Sequence, residues 1–339
     1  LELAWTHHGP VVEPMDAAQI QAGDTILAGA ATMAEVIGST TQFLKINRAA
    51  DVAQFREGMR DLQLQRWNFV VGDTDGAIFY VSNSRHPDRA PGHSWSGIVD
   101  GGDPALDWTD DPPWAFDDLA WSADPDAGYL QNCNNSPGWV THEFGTAIDE
   151  SVFADHYFGH DSLNVRGIKA LEQLSARDDW DFEALRDLSM DTELLAARWY
   201  VPVLDDAYQS YRDHPSVPDP EALDLAAAIL EGWDGRNTVD STAATLFDRW
   251  AVLADDFVSL ESSPSHPIDP ELLIGGLVLM GDAVRDLQAE HGTAEVPWGD
   301  VHRIRRGDVD LPIAGNGATL HSLFMATPRT VEDGVGYVG

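Results

Sequence analysis

The segment RWNFVVGDTDGAIFYVSNS, residues 66–84, constrains the fold more than any other part of the chain. It contains two runs of β-branched and aromatic residues, which favour strands, on either side of Thr74-Asp75-Gly76. An Asp-Gly pair between two such runs is typical of a tight turn, because glycine readily adopts positive φ. The segment therefore predicts a β-hairpin, and the fold must include a sheet.

A short amphipathic helix is predicted directly before this hairpin, over residues 51–62. Val52, Phe55, Met59 and Leu62 recur at helical spacing and share one face, which indicates the side that packs on the core.

Two further segments predict strands in the same half of the chain. Residues 1–12 alternate as a strand does, and GYLQN, residues 128–132, predicts a short strand after a long stretch rich in Pro, Gly, Asp and Trp. Neighbouring side chains on a strand face opposite sides, so His7 and His8 are not expected to bind a metal together.

The apolar period changes from strand-like to helical at about residue 150 and changes back at about residue 295. The helices predicted between these points span residues 165–176, 181–188, 191–213, 219–231, 240–259 and 269–290. Strand patterns return in WGDVHRIRRG, residues 298–307, and in ATLHSLFMA, residues 318–326. This order predicts an α+β fold.

Three portions are expected from this order of patterns. They are a sheet portion over residues 1–148 with a long loop at 85–127, a helical portion over 149–292, and strands over 293–339 that return to the core sheet.

Charge is the strongest signal in the composition. The 339 residues include 57 acidic and 20 basic side chains, a net charge of -37, and all the basic residues except Lys45 and Lys169 are arginine. So large a charge repels itself unless salt screens it, which favours the surface of a halophilic protein over the alternative of an acidic protein in ordinary salt. The charge has the wrong sign for binding a nucleic-acid backbone. No apolar run is long enough to span a membrane.

Most catalytic patterns are weak or absent. The one cysteine, Cys133, excludes an intrachain disulfide and a cysteine-based zinc site, and it is better explained as a small core residue than as a nucleophile. His156 and His160 stand four residues apart and could bind a metal from one helix face, although chance pairing also explains them. GHSWSG, residues 92–97, does not have the spacing of a serine nucleophile elbow.

Three asparagines surround Cys133 in QNCNNSPG, residues 131–138. A rigidly held side-chain amide can donate a hydrogen bond to the oxyanion that forms when an acyl bond is broken. The same residues also suit a turn that asparagine side chains stabilise, or a glycosylation sequon at Asn134-Asn135-Ser136.

Five segments in order resemble the penicillin acylase family, a branch of the N-terminal-nucleophile hydrolases. They are THHGPVV (6–12), WNFVVGDTDGAIFYV (67–81), LQNCNNSP (130–137), LEGWDGRNTVDSTAATLFDRW (230–250) and WGDVHRIRRG (298–307). The resemblance implies a four-layer αββα sandwich with helical additions. It also implies a secreted precursor (a zymogen) that cuts itself into two chains and is placed outside the cell or in its envelope.

The resemblance further implies an amide hydrolase whose substrates are penicillins, acyl-homoserine lactones or similar acyl amides, with antibiotic biosynthesis as one setting. It assigns the oxyanion donor to Asn134 and the acyl pocket to Phe43 and Trp67. Arg166 is the arginine nearest to the position of an active-site arginine in the family. Asp149 and Glu150 are the candidates for a structural calcium, and no cofactor is required.

The nucleophilic serine that the family places at the start of its second chain is not found in these residues. We therefore expect the 339 residues to be part of that second chain, inactive without the serine and without the first chain of the precursor. Two alternatives are a relative that binds acyl ligands without catalysis and a metal-dependent hydrolase that uses His156 and His160. The sequence does not distinguish among the acyl and amine groups that could be processed.

Overall fold

A computed structural model describes residues 3–14, 16–32, 36–64, 66–87, 89–108, 114–149, 163–264, 267–317 and 320–331. The chain divides into two compact units, residues 1–163 and 164–339. The mixture of helices and small sheets confirms the predicted α+β class. No described helix is both long and apolar enough to cross a membrane.

The first unit contains two three-stranded antiparallel sheets and two α-helices among its described residues. One sheet has the order β1-β2-β3 and the other β4-β5-β6. The elements are β1 (Trp5–Thr6), β2 (Gly9–Glu13), β3 (Leu27–Ala28), α1 (Ser39–Ile46), α2 (Val52–Met59), β4 (Trp67–Gly72), β5 (Ile78–Asn83) and β6 (Trp121–Ala123).

The predicted hairpin is confirmed as β4 and β5. Its strands pair from Trp67 opposite Asn83 to Gly72 opposite Ile78, and Gly76 has a φ of 92° in the connecting turn. The Asp73 carboxylate accepts hydrogen bonds from two backbone N–H groups of this turn and from Val52 at the start of α2. The hydrogen bond from Val52 has the largest effect on the pKa of Asp73. Together these donors outweigh the effect of desolvation and hold that pKa below its ordinary value.

The predicted amphipathic helix is confirmed as α2. Asp51 caps it, because its side chain accepts a hydrogen bond from the backbone N–H of Gln54 at 2.7 Å. The four apolar residues expected on one face are all buried in the core of the first unit, together with Phe79 and Val81 of β5.

Two strand predictions in this unit are wrong. Residues 128–132 form no strand, and the third strand of that sheet is β6, which lies inside the expected loop. Residues 1–12 are not one strand, because β1 and β2 form a hairpin with His7 and His8 in its turn. Strand propensity indicates which residues favour extended backbone, but it does not encode where a turn interrupts them or which segment joins a sheet.

The second unit is mainly helical. Its described elements are α3 (Val165–Ser175), α4 (Phe182–Ser189), α5 (Leu195–Tyr211), α6 (Pro220–Leu230), α7 (Thr242–Ala254), α8 (Pro270–His291), α9 (Trp298–Val301), β7 (Arg303–Arg306), β8 (Val309–Pro312) and β9 (Arg329–Val331). The six predicted helices correspond to α3 to α8, and their ends differ from the expected ones by a few residues.

Capping explains why these helix boundaries were predictable. The side chains of Asn164, Asp181, Asp219, Ser241 and Asp269 each accept a backbone hydrogen bond at the start of a helix. Helices α5 to α8 bury a shared apolar core, in which the indole N–H of Trp250 donates to the Gly276 carbonyl at 3.1 Å.

The final strands were predicted only in part. Residues 298–307 contain a helical turn followed by β7, which pairs with β8 and β9. The described part of 318–326 forms an isolated bridge between Gly317 and His321 rather than a strand. The expected return of these strands to the first sheet, and the portion boundaries at 148 and 292, stay predictions.

A salt titration tests the halophilic prediction. We expect the thermal midpoint to fall when KCl is lowered from about 1 M to about 0.1 M, because the Debye length grows from about 3 Å to about 10 Å and the net charge of -37 repels itself. NaCl at equal concentration should act like KCl, since screening depends on ionic strength. Equal midpoints at both salt concentrations, measured by circular dichroism, would contradict the prediction.

Candidate functional site

A cavity of about 830 Å³ lies in the first unit, and it brings together two of the residues singled out from the sequence. Asn134 and Trp67 both line it. The remaining described lining residues are Ala30, Ala31, Thr32, Arg66, Asn68, Ser82, Ser84, Arg85, His86, Pro87, Arg89, Trp108, Asn135, Ser136 and Pro137.

The asparagine segment forms a turn that its own side chains hold. Asn132 Oδ1 accepts from the backbone N–H of Asn134 at 2.9 Å, and Asn135 Oδ1 accepts from the backbone N–H of Cys133 at 3.0 Å. Asn132 and Asn135 therefore stabilise the turn, as asparagine side chains commonly do. Asn134 has a φ of 65°, in the left-handed region that asparagine tolerates, and it is exposed at the cavity wall.

A buried tyrosine joins this turn to the hairpin. The Tyr80 hydroxyl donates to Asn68 Oδ1 at 2.7 Å and accepts from Asn132 Nδ2 at 3.4 Å. Burial raises the pKa of Tyr80 far above its ordinary value, so the hydroxyl keeps its proton. One hydroxyl thus fixes a lining residue of the hairpin relative to the turn that carries Asn134.

The aromatic residues expected in the acyl pocket lie against each other. The ring centroids of Phe43 and Trp67 are 5.3 Å apart, and Trp67 is 49% exposed. Phe43 is half-buried on α1 and packs on the core, whereas Trp67 forms part of the cavity wall. An exposed indole at a cavity wall presents an apolar surface to a ligand.

Positive charge is concentrated in the cavity. Arg66, Arg85 and Arg89 all line it, whereas none of the described lining residues is acidic. Burial, followed by the charges of Arg89 and Arg66, lowers the pKa of His86 to about 4. His86 is therefore neutral near pH 7, and the arginines provide the charge of this wall.

Sequence reasoning missed these three arginines. The available signal was their grouping between residues 66 and 89 in a chain that has only 20 basic residues. The Thr32 hydroxyl donates to the Arg85 carbonyl at 2.7 Å, which joins the segment before α1 to this part of the wall.

The remaining candidates are Arg166, Asp149, Glu150, His156 and His160. Arg166 lies in the second unit at the start of α3, near Glu261. Asp149 is exposed at the end of a described segment, whereas Glu150, His156 and His160 lie outside the described residues. The roles of all five stay predictions.

Comparisons with known proteins identify the family. A family model described as penicillin amidase matches residues 1–337. The chain belongs to the penicillin amidase family. This confirms the resemblance drawn from the five sequence segments.

A solved structure supports the same fold for this penicillin amidase family member. The thermostable penicillin G acylase from Alcaligenes faecalis superimposes with a TM-score of 0.58 at 17% identity. The match covers 98% of this chain and 63% of the other, so the chain spans less than two thirds of the length of that acylase chain.

Replacing Tyr80 by phenylalanine tests the link between hairpin and turn. Tyr80→Phe removes the donor to Asn68, and we expect the free energy of unfolding to fall by about 1 kcal/mol, as for a typical lost hydrogen bond. Tyr211→Phe is the matched control, because no hydrogen bond of the Tyr211 hydroxyl is seen among the described residues. Urea denaturation of both variants measures the difference, and equal stabilities would contradict the link.

Proposed function

We propose that this chain provides the oxyanion-binding and acyl-binding walls of an amide hydrolase of the N-terminal-nucleophile type, acting on acyl amides that carry an anionic group. The observation that carries the proposal is a single cavity lined by Asn134, Trp67 and three arginines. A serine at the start of the family's second chain would attack the amide carbonyl, and its own amino group would accept the proton.

The proposed role of Asn134 is to donate a hydrogen bond to the oxyanion. Its amide is neutral, so it binds the developing negative charge more strongly than the uncharged substrate. Its position is fixed by the hydrogen bonds of Asn132 and Asn135 within the turn, which supports a rigid donor. Rigid placement matters because an oxyanion donor contributes only when it needs no reorganisation during the reaction.

The proposed acyl site is the exposed face of Trp67, supported from behind by Phe43. Contact between the two rings limits the movement of Trp67, and an apolar acyl chain would cover the exposed half of the indole. Binding of an apolar group by a concave wall with a few polar groups is the usual arrangement of a small-molecule site.

The arginines favour a substrate with a carboxylate over a neutral one. Among the substrates that the resemblance allows, a penicillin carries a carboxylate and an acyl-homoserine lactone does not. Arginine binds carboxylates through strong charge-assisted hydrogen bonds. The described wall offers no acidic side chain that would repel such a group.

Two substitutions at Asn134 separate catalysis from folding. We expect Asn134→Gly in the complete, processed protein to lower kcat by about 10²–10³ with little change in KM, because the oxyanion loses a donor. Glycine adopts a φ of 65° freely, whereas Asn134→Ala should lower kcat equally and also lower stability by about 1–2 kcal/mol. Steady-state kinetics and urea denaturation measure the two effects.

Unchanged turnover in Asn134→Gly would remove the oxyanion assignment. A processed wild-type protein that binds acyl amides but never cleaves them would favour the non-catalytic relative.

Substitution of Arg66 tests the substrate class. Arg66 is exposed at the cavity and makes no ion pair with another described residue. We expect Arg66→Gln to raise KM for an N-acyl glycine by about tenfold, since a hydrogen bond to a charged group contributes about 1.5–3 kcal/mol. The KM for the corresponding N-acyl glycinamide, which lacks the carboxylate, should stay unchanged.

Arg48→Gln is the matched control for Arg66→Gln, because Arg48 is also exposed and is not among the described residues that line the cavity. Equal effects of Arg66→Gln on both amides would argue against a carboxylate subsite.

A further inference from the structure

The turn between β1 and β2 brings two histidine side chains together. Trp5 pairs with Pro10 and Thr6 with Gly9, so His7 and His8 are the two central residues of a tight hairpin turn. The Thr6 hydroxyl donates to the Gly9 carbonyl and accepts from the backbone N–H of His8, both at 3.2 Å. The two imidazole rings lie with their centroids 3.7 Å apart, an approach that a continuous strand would not allow.

A carboxylate from the long loop meets both imidazoles. Asp107 Oδ1 lies 3.6 Å from His7 Nε2 and 3.7 Å from His8 Nδ1. The three candidate ligand atoms all lie within 4.8 Å of one another. Asp107 Oδ1 is itself buried, and no described residue donates a hydrogen bond to it. A buried carboxylate oxygen without a donor is costly unless a cation compensates it.

The second nitrogen of His8 already has a partner. His8 Nε2 lies 2.8 Å from the Gly101 carbonyl, which can only accept, so this nitrogen carries the proton. In a neutral His8 ring the lone pair is therefore on Nδ1, the nitrogen that faces Asp107. Metal-ligating histidines commonly donate their other N–H to a carbonyl in this way, which fixes the ring and its tautomer. A Cβ at position 101 would lie only 3.0 Å from Nε2, and the glycine allows this close approach.

We propose that His7, His8 and Asp107 bind one divalent transition-metal ion of the zinc class, which cross-links the β1–β2 turn to the long loop. Bonds of about 2.0–2.2 Å in a tetrahedral site place ligand atoms about 3.3–3.6 Å apart. The distances of 3.6 Å and 3.7 Å from Asp107 Oδ1 to the two imidazole nitrogens are close to this separation. Two imidazoles and one carboxylate suit zinc, whereas calcium and magnesium prefer oxygen ligands alone. The fourth position is left for water, since His7 is largely exposed.

The cross-link would act on the wall of the cavity. Trp108 follows Asp107 directly and lines the cavity, and the Arg89 guanidinium lies 5.7 Å from its ring centroid. A metal that fixes Asp107 therefore fixes Trp108 and, through it, one of the three arginines. The metal site does not depend on the proposed hydrolase activity, because it rests on residues outside the cavity lining.

Metal titrations test the site directly. Protein treated with a chelator is titrated with Zn²⁺ by calorimetry, and with Co²⁺ by visible absorption, in buffer with about 1 M KCl to screen the acidic surface. We expect one ion per chain, tetrahedral Co²⁺ bands, and no displacement by excess Mg²⁺.

Loss of a residue that only hydrogen-bonds to a metal ligand weakens metal binding roughly 10–100-fold. Asp107→Asn and His7→Ala each remove a direct ligand, so both should weaken Zn²⁺ binding by more than this. Gly101→Ala, whose Cβ would lie 3.0 Å from His8 Nε2 and press the ring away from the carbonyl at position 101, should weaken it within that range. His93→Ala is the matched control, since His93 is an exposed histidine of the same loop.

Saturating Zn²⁺ should also raise the thermal midpoint of the wild type but not that of Asp107→Asn, which separates site loss from misfolding. Binding that Mg²⁺ displaces, or that survives in Asp107→Asn, would overturn the proposal. Zinc binding lost in the His156→Ala/His160→Ala double variant but kept in Asp107→Asn would place the metal at that pair and would also overturn it.

Discussion

The candidate site depends on one hydroxyl group. Tyr80 is fully buried, and its oxygen contacts both Asn68 of the hairpin and Asn132 of the asparagine turn. A polar group buried this deeply must be hydrogen-bonded, so the two segments cannot separate without leaving polar atoms unpaired. Tyr80 belongs to β5, so the packing of this strand determines the position of the turn that carries Asn134. Asn134 itself lies outside the strand. The sheet determines where the turn can present its amide.

Local signals made most of the secondary structure predictable. Three local signals predicted helices α3 to α8, helix α2 and the β4–β5 hairpin. They are the periodic spacing of apolar residues, the side chains that cap helices, and one Asp-Gly turn. These signals lie within a few residues of the elements they define. The same signals failed for residues 1–12 and 128–132, because a run of extended residues does not say where a turn interrupts it or which run joins a sheet.

The site was predictable only where the family resemblance supplied it. Asn134 and Trp67 were named from matching segments, and they line one cavity. Arg66, Arg85 and Arg89 were not named, because each alone resembles any surface arginine and only the fold brings them together. His7 and His8 were excluded as joint metal ligands on the geometry of a strand, and that geometry does not apply to the two central residues of a hairpin turn.

The arginine-lined wall has a consequence for how a charged ligand arrives. The protein as a whole is strongly negative, so an anion first meets repulsion and feels the arginines only close to the cavity. Repulsion from the surface extends over about 10 Å in 0.1 M salt and about 3 Å in 1 M salt. Steered encounters between opposite charges usually slow as salt is added. For the anionic substrate proposed above, we expect the opposite dependence, because added salt screens the long-range repulsion of the surface more than the short-range attraction of the arginines. Binding of such an anion should therefore become faster as the salt concentration rises.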